Sequence, residues 1–217
     1  MKKFKLTSEF IVDISGVKLF RIKALIEFGN VKAGDLGGYI EKEKNLSHMG
    51  NAWVSGNAQV FGNARVFGNA WVSGDAQVFG NAWVSGNAQV SGNAWVFGDA
   101  QVFGNAWVSG NAQVFGNARV FGNAWVSGDA QVFGNAWVSG DARVSGDKDY
   151  AYAHGFGFCN RTTTFFRLKD GDVGVRCGCF YGTLAQFRDN VCETHGETKK
   201  AQEYLMLADL MDFRFKN

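Results

Sequence analysis

The 217-residue sequence predicts a mainly-β chain dominated by one stacked, coiling element, and three observations carry that expectation. First, residues 51–146 are sixteen uninterrupted copies of the unit Asn/Asp-Ala-Trp/Gln/Arg-Val-Ser/Phe-Gly. A strict short period dictates stacking, because no single unit can bury its own apolar face. Second, alternation along a strand puts Ala and Val on one side and the Trp/Gln/Arg and Ser/Phe positions on the other. Ala and Val never vary, so they belong inside, and the variable, larger residues belong outside. Third, Gly followed by Asn or Asp supplies a corner, since these residues tolerate positive φ. A short strand and a tight corner, repeated, must coil.

An aliphatic residue at one inward position with a small residue two before it resembles the signature of the hexapeptide-repeat family, the left-handed parallel β-helices. Val at the fourth unit position and Ala at the second match it in all sixteen units. The resemblance implies three hexads per coil, about five to six coils, and hence an 18-residue beat. Sorting every third unit gives Trp53/Ser55, Trp71/Ser73, Gln89/Ser91, Trp107/Ser109, Trp125/Ser127 and Arg143/Ser145 on one face. The next face reads Gln59/Phe61, Gln77/Phe79, Trp95/Phe97, Gln113/Phe115 and Gln131/Phe133, and the last mixes Ser with Phe. Residues 51–86 and 105–140 are identical, 54 residues apart, which is three whole coils on this reading.

The outward aromatics have two readings. With coils about 4.8 Å apart, Phe61, Phe79, Phe97, Phe115 and Phe133 stack into a column that braces a thin Ala/Val interior. The same residues, with Trp53, Trp71, Trp95, Trp107 and Trp125, also make an apolar surface larger than the roughly 300–600 Å² usual on a monomer. Such a surface is expected to be an interface, with two or three rods packed side by side as a homo-oligomer.

Charge and composition exclude several classes. Net charge is +2, and the repeat carries Arg65, Arg119 and Arg143 against Asp75, Asp99, Asp129 and Asp141. That is too little base for a nucleic-acid partner and too little acid for a DNA mimic. Ser8, Glu9 and Asp13 interrupt the apolar stretch near the start, which argues against a signal peptide. No run approaches the roughly 18 apolar residues of a membrane span. All four cysteines lie in the last third, and reduced thiols in a cytoplasm are the default expectation. Acyltransferases of the resembled family use a His base and a protruding loop, and its carbonic anhydrases hold zinc with three His. The sixteen units contain no His, Cys or Glu and no inserted loop, so neither general-base nor zinc-hydroxide chemistry has a carrier there. No cofactor or metal is called for, and the absence of Thr from the sixteen units argues against an ice-binding face.

The chain divides into an N-terminal cap (1–44), the β-helix (45–149) and a C-terminal α+β module (150–217). Residues 9–28 read as a hairpin turning at Ser15-Gly16, and with the following residues they are expected to cover the open end of the coil. "VKAG…GG" in this lead-in resembles the start of uncharacterised bacterial and phage hexapeptide-repeat proteins, and the stretch from "NRTTTFF" to "EYLMLADL" resembles their C-terminal module. After Gly146 the pattern reads ββαα. "RTTTFFRL" and "VGVRCGCF" flank Asp170-Gly171 as a hairpin, a Thr183/Gln186 capping box opens one helix, and Thr198 starts another.

Two constellations stand out in the module. Cys159, Cys177, Cys179, Cys192 and His195 have workable zinc spacing, but Cys177 and Cys179 alternating onto one strand face also suits plain packing; no metal is assigned. Asn160, Arg161, Thr162, Thr163 and Thr164, with Arg176 on the facing strand, form a candidate anion-binding set or an ordinary turn entering a strand. The leading expectation is a non-enzymatic, cytoplasmic rod whose C-terminal module contacts a protein or an anionic small molecule. The alternative is a transferase-like enzyme at the rod/module junction, using His154, Arg161 and the Thr cluster.

Overall fold

The computed structural model describes residues 2–157 and 161–216. Each of the sixteen units contributes a two-residue strand, from Trp53–Val54 to Arg143–Val144. Each pairs in parallel with the strand eighteen residues on, as in Trp53↔Trp71 and Val54↔Val72. The strands sort into three sheets: six from Trp53–Val54 to Arg143–Val144, five from Arg65–Val66 to Trp137–Val138, and five from Gln59–Val60 to Gln131–Val132 that are extended by three N-terminal strands. The result is a parallel β-solenoid. All sixteen Ala and all sixteen Val of the units are buried and form one continuous core.

The corner chemistry explains why the unit is so strict. Unit glycines from Gly56 to Gly140 have φ between 59 and 73, where a side chain is strained. A Cβ on Gly92 would also lie 2.9 Å from the backbone N and O of Gly110 one coil on, so the stacking distance itself demands glycine. The neighbouring Asn side chains form a ladder: Asn93 Nδ2 donates to Asn111 Oδ1 at 3.1 Å, and Asn111 to Asp129 at 2.9 Å. Asp accepts but cannot donate, so each ladder ends where the unit carries Asp.

Ladder hydrogen bonds run one way. Trp53 N donates to Ala70 O and Trp71 N to Ala88 O, so the first coil presents bare carbonyls and the last presents bare N–H groups. Three devices meet the carbonyls. Strands β1 (Phe4–Val12), β2 (Lys18–Ala24) and β3 (Leu36–Ile40) form an antiparallel meander, and β3 lies parallel to Gln59–Val60. Tyr39 N donates to Ala58 O and Glu41 N to Val60 O. This approach needs the Gly37-Gly38 pair, because a Cβ on Gly38 would sit 2.5 Å from Ala58 O. On the second side, buried Asn45 donates Nδ2 to Gly62 O (3.2 Å) and Ala64 O (2.9 Å). On the third, buried Lys3 donates Nζ to Gly50 O (3.2 Å) and Ala52 O (2.7 Å). The hairpin thus runs over Phe4–Ala24 rather than 9–28, turning through Gly16 at φ 83. Its earlier start places Lys3 at the coil end.

At the far end the partners are acceptors. Asp147 Oδ1 accepts from Gln131 N, the Tyr150 hydroxyl from Phe133 N, Thr164 Oγ1 from Trp137 N, and Asp149 Oδ2 from Ser145 N. The C-terminal module is ββββαα rather than ββαα. Its strands are β4 (Tyr150–Phe156), β5 (Arg161–Arg167), β6 (Val173–Cys177) and β7 (Phe180–Thr183), followed by α1 (Leu184–His195) and α2 (Lys199–Phe215). The expected hairpin is β5–β6. The flanking strands are weak in sequence: β4 is rich in Ala and Gly, and β7 runs straight into the Thr183 cap with no turn residue between. Strand β5 joins two cores, since Phe166 packs into the solenoid core and Phe165 beneath the helices.

Candidate functional site

The second face carries the phenyl column. Phe61, Phe79, Phe97 and Phe115 stack at 5.0 Å between centroids, within 4° of parallel, and Phe133 follows at 5.2 Å. Tyr152 meets Phe133 edge-on at 5.6 Å and ends the column. The first four rings are half-buried by their neighbours, and Phe133 is exposed. Trp95 lies edge-on to Phe79 at 6.3 Å, and Trp107 to Trp125 at 5.2 Å. Trp95, Trp107 and Trp125 remain 40%, 37% and 45% exposed. Trp71 is half-buried, donating Nε1 to Ser55 Oγ at 3.1 Å.

Trp53 departs from the expected outward set. It is 2% exposed, because the N-terminal segment folds over its face and Phe28 meets it edge-on at 5.4 Å. It is a core residue, unavailable to any interface. In its place the structure adds residues that were not anticipated. The β1–β2 turn projects Val12 and Ile14 beside the Phe column, with Ile14 fully exposed, and together with Phe61, Phe79 and Trp95 they line an apolar groove of about 590 Å³. The signal lies in Ile11-Val12 and Ile14 around the turn, apolar residues that covering the coil end alone does not require.

Strand alternation divides the C-terminal set. Asn160 lies outside the described residues. Arg161 is exposed at the start of β5. Thr162 is half-buried, with Oγ1 2.9 Å from Nδ1 of exposed His154. Thr163 is buried toward the helices, where it donates to Cys177 Sγ at 3.2 Å, and Thr164 is buried toward the rod, where it accepts from Trp137 N. Thr163 and Thr164 are therefore structural contacts. Arg176 on β6 lays its guanidinium over Phe121 and Trp137, each at 5.6 Å. Cys177 is buried, whereas Cys179 is exposed in the β6–β7 turn and does not share its strand face. Cys192 is exposed on α1, and Cys159 lies outside the described residues. Among the described residues no three His, Cys, Asp or Glu side chains gather as a metal set, and no helix is long and apolar enough to cross a membrane.

Sixteen stacked units, three parallel sheets and a single Ala/Val core define a β-solenoid repeat protein. Residues 58–74, 76–92, 100–114, 112–128 and 130–146 match the family model of the YdcK beta solenoid repeat. The matched stretches begin 18 residues apart at 58 and 76 and again at 112 and 130, the spacing of the strand register. No curated protein matches the chain.

Proposed function

We propose that the solenoid is a left-handed, hexapeptide-type β-helix serving as a non-catalytic interaction rod, which packs side by side with a second copy and presents its C-terminal module to a further partner. The observation that carries this reading is the groove between the β1–β2 turn and the Phe column, with the exposed Trp95 indole in its wall. A soluble chain gains by covering such a surface. A second copy is the best-matched cover, because its columns repeat with the same 5.0 Å ring spacing and rows can interleave along their length. The paucity of charge on the rod removes repulsion between copies. Handedness rests on the family resemblance of the Ala/Val pattern. Light scattering at micromolar concentrations is expected to give a dimer or trimer, and Ile14→Asp with Trp95→Ser is expected to dissociate it. A wild-type monomer under those conditions would overturn the reading.

A further inference from the structure

The third face and the C-terminal module enclose a second concavity, of about 350 Å³, at their junction. Two guanidiniums converge on one indole there. Arg119, next to Trp137 in the strand register, lies 4.9 Å over its ring, and Arg176 approaches the same ring from the module at 5.6 Å. Arg161 and Thr162 line the module side, Asn117 and Asn135 the corner side, and no carboxylate is among the lining residues. None of the ion pairs between described residues involves Arg119 or Arg176. The Nε of Arg176 is buried without a hydrogen-bond partner. A buried donor normally finds an acceptor, and two guanidiniums over one ring leave the concavity with positive charge that its lining side chains do not neutralise.

From this geometry we infer that the junction is a binding site for a small molecule bearing a phosphate group, held by Arg119 and Arg176 with Arg161 at the rim. Guanidinium forks match phosphate oxygens in bidentate geometry, and the volume suits a small metabolite rather than a polymer. The repeat supplies an internal comparison. Arg65 occupies the position equivalent to Arg119 in the earlier identical block, but it stands three coils farther from the module than Arg119 does.

Calorimetric titration of the full chain with inorganic pyrophosphate and with malonate tests the assignment. One saturable pyrophosphate site per chain is expected, with malonate weaker. Arg119→Gln and Arg176→Gln should each weaken pyrophosphate binding about tenfold, the loss expected for one charge-assisted contact. Gln101 holds the same position one coil before Arg119, so Arg119→Gln preserves the fold even if Arg176→Gln loosens the module. Pyrophosphate should raise the melting temperature of the wild type more than that of Arg119→Gln at the same concentration. Absence of saturable binding, tighter binding of malonate, or equal weakening by Arg65→Gln would each overturn the inference.

Discussion

The two ends of the rod face opposite problems and solve them with opposite chemistry. The first coil ends in carbonyls, and it is met by donors: Lys3 Nζ, Asn45 Nδ2 and the β3 amides. The last coil ends in N–H groups, and it is met by acceptors: Asp147, Asp149, Tyr150 and Thr164. The lesson is that a parallel coil has a polarity no single unit reveals, and that polarity selects which residue types can adjoin each end.

The strongest way to break this symmetry is at the donor end. Asn45→Ala leaves Gly62 O and Ala64 O bare beneath a buried side chain. Thermal unfolding should show a loss of about 2–4 kcal/mol, from two unpaired groups at roughly 1–2 kcal/mol each. Thr164→Val at the other end bares Trp137 N alone, and a loss of about 1–2 kcal/mol is expected. Equal losses from the two variants would contradict the count of groups each end leaves open.

Acidity separates the ends further. Burial pulls the Lys3 amine down from 10.5 to about 8. In the window between those values the unfolded chain binds more protons than the folded one, so stability should rise with pH there. The neutral amine still has donors for both carbonyls. Burial pushes Asp149 up, but hydrogen bonds from the Ser145 hydroxyl and amide outweigh it and hold the carboxyl below its ordinary 3.8. Stability from that end is therefore present above the ordinary value and lost as pH falls through the depressed one. Melting curves of wild type against Lys3→Met should differ in slope only on the basic side, and those against Asp149→Asn only on the acid side. The smallest effect belongs to the middle. Asp99 accepts from Asn81 but cannot pass the ladder on, and Asp99→Asn should stabilise the rod by about 0.5 kcal/mol or less.

Much of the rod was legible because every unit repeats the same instruction: the fixed Ala and Val mark the inside, and sorting by eighteen assigns each Phe and Ser to a column. The ends were not legible. Lys3 and Asn45 look like ordinary polar residues until the bare carbonyls above them are known, and the burial of Trp53 depends on where Phe28 is brought by the hairpin. In the module, the run from Arg161 to Thr164 looks like one polar cluster in the sequence, but strand alternation sends Thr163 and Thr164 to opposite sides. The period-two rule that sorted the rod would have separated them. Arg119 gave no signal, since its twin Arg65 has the same local sequence and differs only in what lies across from it.

The eighteen-residue register has a consequence for how such a chain changes over generations. Adding or deleting one full turn leaves every column in phase, every corner glycine over its successor, and both termini in contact with the coil edges that they fit. Six- or twelve-residue changes would instead rotate the downstream columns out of alignment with those before them. Repetitive coding sequence is prone to unequal crossover, so the length of the rod can be rewritten in steps of one turn. The spacing between its two ends is thus an inheritable ruler setting, adjustable without redesigning anything attached to either end.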